Sequence, residues 1–272
     1  MAAQPHVVST AQLSSRGDAY YWRLFLQLSS FLLFGVGAVV LRLTAFPLIS
    51  LTTRDELLRR ARTRKVISLA MRGFVGFMSG LRGLSYEFIG AERLGRQGQL
   101  IVANHPSLLD VVFLLAFTPG AGCVIKHSML RNPFTRGPAR RAGYIGNQPT
   151  DEMIEGASAA LAEGQCLIMF PEGTRTTPGQ PLKFHRGAAN VAVRAAKVVT
   201  PVFIRCEPPA LTKADPWYRV TPSRLRFTFT VGPDIELGEF RSMRSVPLAS
   251  RALNERLREH FEGELERPDE IY

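Results

Sequence analysis

Asn104-His105-Pro106-Ser107-Leu108-Leu109-Asp110 places an imidazole and a carboxylate five positions apart. An apolar run, Leu100 to Ala103, precedes this block and another, Leu108 to Phe117, follows it. The first has the length of a buried strand, the second that of a three-turn helix. The polar block therefore falls where a strand hands over to a helix, a place from which α/β enzymes project reactive groups. In an unbroken helix His105 and Asp110 would point about 140° apart. Pro106 breaks that geometry, since it removes a backbone donor and biases His105 toward an extended conformation. With a helix starting near Ser107, the imidazole folds back onto the carboxylate, as a general base oriented by an acid. Ser107 and Asp110 also fit a plainer reading, an N-cap and the closing acid of a capping box.

A second polar block, Phe170-Pro171-Glu172-Gly173-Thr174-Arg175, ends the apolar run Cys166 to Phe170. Pro171 stops that strand, and Gly173 permits a tight turn that exposes backbone donors. Arg175 has the fork geometry that grips a phosphate or carboxylate. The plainer reading is a polar turn in which Glu172 and Arg175 pair with each other.

Taken together, the two blocks resemble the signature of the glycerolipid (lysophospholipid) acyltransferase family, N-H-x4-D followed by F-P-E-G-T-R. A third stretch, Val199-Thr200-Pro201-Val202-Phe203-Ile204, resembles the family's later V-P-V strand, so the likeness runs from Leu84 to Arg205. The resemblance implies acyl transfer from a thioester, acyl-CoA or acyl-carrier protein, to a hydroxyl of a lysophospholipid-type acceptor such as 1-acylglycerol 3-phosphate. It implies His105 as general base and Asp110 as its orienting partner. It assigns the acceptor's phosphate to Glu172, Gly173, Thr174 and Arg175, with Lys183 and Arg186 downstream. A carboxylate beside a phosphate is unfavourable, so Glu172 is expected to orient Arg175 or an acceptor hydroxyl. No metal and no cofactor beyond the acyl donor is implied, and direct transfer without an acyl-enzyme is expected.

One departure concerns the acceptor. The family's middle block has the form G-x-I-x-x-x-R, whose arginine helps to bind glycerol phosphate. Here Gly143-Tyr144-Ile145 is followed by Gly146-Asn147-Gln148-Pro149, with Arg140 and Arg141 just upstream. Members associated with aryl-polyene or amino-acid lipids look similar in this respect, which keeps a non-glycerophosphate acceptor open. A catalytically inactive membrane scaffold of the same fold and an acyl-thioester hydrolase are the other two alternatives.

The elements that must position these blocks can be read around them. The 272 residues suit one catalytic domain plus an appendage. The 46% hydrophobic content is ample for a core, and a mean hydropathy of +0.02 is high for a soluble enzyme. A net charge of +11 points to acidic partners: anionic lipid or an acidic carrier protein, with nucleic acid disfavoured for want of any recognition motif. Cys123, Cys166 and Cys206 lie far apart in apolar surroundings and read as reduced core residues.

Residues 1–83 read as an appendage. A polar stretch over 1–20, loosely ordered, precedes the uncharged run Leu24 to Leu41, long enough for a membrane helix. Tyr21 and Trp22 suit an interfacial anchor. The basic cluster Arg54, Arg59, Arg60, Arg62, Arg64 and Lys65 suits anionic headgroups on the cytoplasmic side. Apolar residues from Val66 to Leu81 then recur at helical spacing. A buried core helix is the alternative for the Leu24 run.

Residues 84–272 read as the catalytic domain. Strands are predicted at Leu84–Ile89, Leu100–Ala103, Cys123–Ile125, Cys166–Phe170, Val199–Arg205 and Leu225–Val231. Helices are predicted at Asp151–Glu163, Arg186–Ala196 and Pro247–Glu262, the last capped by Ser245. Such alternation implies an α/β fold with a mixed, largely parallel sheet flanked by helices, preceded by the N-terminal hydrophobic element.

Overall fold

The computed structural model describes residues 10–132, 135–148 and 151–267. It begins with three helices, α1 (Thr10–Leu43), α2 (Ala45–Thr52) and α3 (Glu56–Gly80). Then follow β1 (Leu84–Ile89), β2 (Gln99–Ala103), α4 (Asp110–Phe117), β3 (Gly122–Ile125), α5 (Arg136–Arg141), β4 (Ile145–Gly146) and α6 (Asp151–Ala162). The chain continues through β5 (Leu167–Met169), α7 (Gly187–Ala195), β6 (Val198–Glu207), β7 (Leu225–Val231), α8 (Gly238–Arg241) and α9 (Val246–Glu266). Residues 1–9 of the expected polar tail, and Pro149 of the middle block, lie outside the described residues. From Thr10 the chain is helical, not loose.

The strands form one seven-stranded sheet in the order β1-β7-β6-β2-β5-β3-β4. β6, β2, β5, β3 and β4 run parallel; β7 turns back antiparallel to β6 and carries β1 parallel to itself. The sheet is thus mixed and largely parallel, as the alternating pattern implies. Strand β2 shows why both faces are covered. Ile101 and Ala103 enter the core beneath α3 and α4, while Leu100 and Val102 enter the core beneath α6, α7 and α9. A parallel strand buried on both sides needs this continuous apolar run. On α9, Leu253, Leu257 and Phe261 are fully buried, the stripe expected of an amphipathic helix. Ser245 precedes α9 in an extended conformation, but its side chain makes no cap hydrogen bond; Pro247 supplies the start instead.

The five parallel strands all end at the same edge of the sheet. Both polar blocks leave from this edge, one from β2 and the other from its neighbour β5. The turn after β4 and the long loop after β6 leave from it as well. This arrangement places the site at the carboxyl ends of the strands.

The N-terminal helices divide in two. Tyr20–Thr52, in α1 and α2, is long and apolar enough to cross a membrane; its most apolar 18 residues have a mean hydropathy of 2.2, and only 11% of them are buried. A buried core helix therefore does not describe it. Phe25, Leu32, Leu43, Leu48 and Leu51 are exposed along its surface. α3 behaves otherwise. Asp55 caps it by accepting the Leu58 N–H at 2.7 Å, and Ile67, Val75 and Met78 join Leu84, Ile101 and Phe113 in one core. Residues before and after position 84 thus share a single core.

The basic cluster on α3 is also divided. Arg60 pairs with Glu56, and Arg62 donates to Thr53 Oγ1 at 2.7 Å. Arg64, grouped by sequence with the headgroup-facing bases, is instead buried. Its Nε donates to the Ala142 carbonyl and its Nη1 to Gln165 Oε1, both at 2.7 Å. Burial pushes its pKa down from the usual arginine value. A planar fork can satisfy two acceptors at fixed angles where an ammonium cannot. Arg64→Ala should lower the unfolding free energy by about 1–3 kcal/mol, the cost of leaving buried acceptors unmet. Arg64→Lys should recover only part of that, read as thermal midpoints in detergent; unchanged midpoints would remove this role.

Candidate active site

Asn104 ends β2. Its side-chain amide donates to the Ile204 carbonyl and accepts the Ile204 N–H, both at 2.8 Å, continuing the β2–β6 pairing past the last strand residue. The main chain is then free to turn, and His105 leaves the sheet. His105 Nδ1 lies 2.9 Å from Asp110 Oδ2. The same oxygen accepts the Ser107 N–H at 2.7 Å.

The two contacts expected of Asp110, with the imidazole and with the first-turn backbone, are therefore both made by one oxygen. The helix itself starts later than Ser107, at Asp110, with Leu109 in the capping position. The reason is local: once the carboxylate holds the Ser107 amide, residues 107–109 form a turn, with Leu109 N–H reaching Ser107 Oγ at 3.4 Å.

Asp110 is completely buried, whereas the His105 side chain remains 16% exposed. Burial pushes the Asp110 pKa up, against the pull of His105, the Ser107 amide and the Arg175 charge. Among the described residues, Asp110 Oδ1 is buried without a hydrogen-bond partner. With Oδ2 already accepting one N–H, the natural tautomer of neutral His105 carries its proton on Nδ1. That leaves Nε2 as the basic atom. The ring lies over Phe170, centroids 4.2 Å apart and planes 24° from parallel.

The second block clamps the first. Glu172 Oε1 accepts the His105 N–H at 2.9 Å and the Thr176 hydroxyl at 2.8 Å, while the Thr176 N–H donates to the His105 carbonyl at 2.7 Å. Both backbone groups of His105 are thereby fixed. Glu172 is 7% exposed, and burial pushes its pKa up against these donors. Among the described residues its hydrogen bonds go to His105 and Thr176 rather than Arg175, so the expected Glu172–Arg175 pairing is replaced by this clamp.

Arg175 reaches elsewhere. Its Nη1 donates to the carbonyls of Leu211 at 2.6 Å and Thr212 at 2.9 Å, in the loop after β6. Gly173 has φ +64°, a conformation L side chains rarely adopt, and its carbonyl accepts Asn147 Nδ2 at 3.1 Å. Asn147 Oδ1 in turn accepts the His127 N–H at 3.1 Å. Asn147 thus stands in the middle block and joins the turns that follow β3 and β5.

Thr174, Lys183 and Arg186 are exposed on the segment leading toward α7. The structure brings His105, Asp110, Glu172 and Arg175 into one connected network, while Lys183 and Arg186 are exposed on the segment before α7. Asn104, Asn147, Phe170 and Thr176 also serve this network. For Asn104 and Phe170 the available signal was their membership of the two blocks; for Asn147 and Thr176 only the fold reveals it.

Beside the network an apolar cavity of ≈ 460 Å³ lies between α1, α3 and α4, and a second of ≈ 220 Å³ adjoins it. Phe34, Phe74, Val111, Val112 and Met129 line both, and the smaller one reaches Leu108 and Leu109, within the His105 block.

A family model described as Acyltransferase matches residues 85–205. A 1-acyl-sn-glycerol-3-phosphate acyltransferase of Pseudomonas aeruginosa is 30% identical over 149 residues, 53% of this chain and 58% of that protein. The human 1-acyl-sn-glycerol-3-phosphate acyltransferase alpha is 32% identical over 130 residues, 45% of this chain and 46% of the human one. The matched part spans about half the length of these curated relatives. The crystal structure of a 1-acyl-sn-glycerophosphate (LPA) acyltransferase, PlsC, from Thermotoga maritima matches with a TM-score of 0.68 at 21% identity. That match covers 91% of this chain and 100% of the other, a likeness of fold. Residues 85–205, which carry both polar blocks, thus match the acyltransferase family model.

Proposed function

We propose that this protein is a membrane-associated O-acyltransferase that moves a fatty acyl group from an acyl thioester to a hydroxyl of a 1-acylglycerol 3-phosphate-type acceptor. The observation that carries this reading is the His105 Nδ1–Asp110 Oδ2 contact of 2.9 Å, at the edge of an apolar cavity. His105 Nε2 takes the acceptor's hydroxyl proton as its oxygen attacks the thioester carbonyl. The tetrahedral intermediate collapses by expelling the thiolate, which takes the proton back from the imidazolium. Asp110 supports the imidazolium. Because its charge is buried, the attraction is stronger once His105 is protonated than it would be in water.

Direct transfer is supported by the cysteines. All three are buried, and burial pushes each thiol up to about 12, so none is poised as a thiolate nucleophile. The apolar cavities suit an acyl chain, and the exposed apolar surface of α1 and α2 suits a bilayer. The net charge of +11 suits anionic headgroups, with the catalytic part on the cytoplasmic side, and an acidic donor, acyl-CoA or acyl-carrier protein.

A second reading, an acceptor without phosphate, is favoured by one observation: the Arg175 Nη1 is already committed to two carbonyls. Thiol release from an acyl thioester, followed by mass spectrometry of the lipid product across phosphorylated and phosphate-free acceptors, separates the possibilities. Release without acceptor means a hydrolase, and no release means a scaffold.

His105→Ala should lower turnover by at least about a hundredfold, the low end for loss of a general base. The loss should exceed that of Asp110→Asn, which keeps the base but orients it poorly. Near-normal turnover in His105→Ala would remove the residue from the chemistry.

Glu172→Gln keeps an oxygen for both donors and should retain turnover within a few-fold. Glu172→Ala loses two hydrogen bonds of about 1 kcal/mol each and should fall by roughly tenfold or more. Equal losses in the two variants would mean that Glu172 acts through its charge and not as this clamp.

Lys183 and Arg186 are the exposed cations nearest in sequence to the second block. Replacing both with alanine should raise KM for a phosphorylated acceptor by about ten- to a hundredfold, the equivalent of roughly 1.5–3 kcal/mol. A wild-type enzyme that uses both acceptor types equally would sink the phosphate reading.

A further inference from the structure

The loop over residues 208–224, between β6 and β7, carries an aromatic pair that the fold does not bury. Trp217 is 55% exposed and Tyr218 59% exposed, their rings meeting edge to face. Exposure on this scale means that neither ring owes its place to the core. The pair is nevertheless held against α1: Gln27 Nε2 donates to the Trp217 carbonyl, and the Phe31 ring lies edge-on to Trp217 with centroids 5.5 Å apart.

The loop is internally braced. Asp215 Oδ2 accepts the Thr212 N–H at 3.0 Å and the Thr212 hydroxyl at 2.7 Å, while Asp215 Oδ1 pairs with Arg219. Lys213, Arg219 and Arg224 are exposed on it, against the single acid Asp215. The Leu211 carbonyl accepts both Arg175 Nη1 at 2.6 Å and the Leu108 N–H at 3.2 Å, so the loop's base is fastened to both polar blocks. Leu211 itself has φ 51°, a left-handed conformation that a leucine holds only when its surroundings impose it. The ≈ 220 Å³ cavity lies between this loop and α1, lined by Phe31, Leu108, Leu109, Leu211 and Arg219.

From this placement we propose that Trp217 and Tyr218 form a second membrane contact, which sets the bilayer against the cavity beside His105. The proposal rests on the membrane-associated reading of α1. Its chemistry is that of a lipid interface. An amphipathic aromatic pair lies continuous with an apolar helix surface and is flanked by basic residues, as rings at the headgroup level are. Phe25, Leu28 and Leu32 extend the same exposed apolar surface along α1. Because the loop is already braced, docking it orders few new groups. An acceptor lipid leaving the bilayer there reaches the cavity without crossing water.

The chain has two tryptophans, Trp22 and Trp217, so full-length Trp22→Phe reports on Trp217 alone. That variant is mixed with vesicles of phosphatidylcholine and phosphatidylglycerol, with or without acyl-brominated lipid, and flotation is measured in parallel. The expected result is co-flotation, a blue shift of the emission and quenching by the brominated lipid. Protein that fails to float overturns the membrane reading and this inference together. Protein that floats with unshifted, unquenched emission overturns this inference alone, as a ring that docks another protein or only props α1 would behave. A Trp217→Ala/Tyr218→Ala variant should raise KM several-fold for vesicle-borne acceptor while sparing a short-chain acceptor free in solution. Equal loss with both acceptors would make the loop a packing element and overturn the inference.

Discussion

The site depends on one carboxylate oxygen. Asp110 Oδ2 accepts the Ser107 amide at 2.7 Å and faces His105 Nδ1 at 2.9 Å, in a position closed to solvent. The first contact fixes the turn that brings Asp110 round toward the strand. The second fixes which nitrogen of His105 carries the proton. Neither is separable from the other, because moving the turn moves the acceptor. Its charge is poorly solvated there, which raises the pKa of Asp110 against the pull of His105. An exposed aspartate at the same distance would stabilise the imidazolium far less, since water would screen the pair.

That oxygen is useful only if the His105 backbone is held as firmly as its ring. The parallel sheet provides this, because neighbouring strands β2 and β5 release their loops side by side. Glu172 and Thr176 then take both backbone groups of His105, while Phe170 supports the ring face. The same geometry collects the later loops. Asn147, after β4, reaches the Gly173 carbonyl, and Leu211, after β6, receives Arg175 and Leu108. Each loop leaves a different strand, so distant parts of the sequence meet without any helix or strand being distorted.

How much of this was legible in the sequence follows from the range of the interactions. His105 and Asp110 are five residues apart, and Pro106 between them narrows the backbone choices enough for their contact to be expected. The strands at Leu84–Ile89 and Leu225–Val231 match their predicted bounds because their apolar runs are bounded on both sides by polar or turn residues. The role of Glu172 was not legible. Its partner lies 67 residues away, and the charge on Arg175 three residues on made the wrong pairing attractive. Arg64 was misplaced for a related reason: a basic run is read by its average, yet one residue of it faces inward and bonds groups far along the chain. Helix periodicity, not charge density, carries that information, since Arg64, Ile67 and Ser68 share a buried stripe.

Arg64 also bears on how the apolar helices communicate with the site. Its guanidinium holds the Ala142 carbonyl, immediately before Gly143-Tyr144, which leads into β4 and then to Asn147. Asn147 holds Gly173, whose neighbour Glu172 holds His105. A continuous set of directional contacts thus runs from α3 to the His105 backbone. Whatever holds α3 in place, including its packing with α1 and α2, therefore also limits how far the His105 loop can shift. Asn147 takes two neutral backbone partners, the His127 N–H and the Gly173 carbonyl, and so joins the turns after β3 and β5.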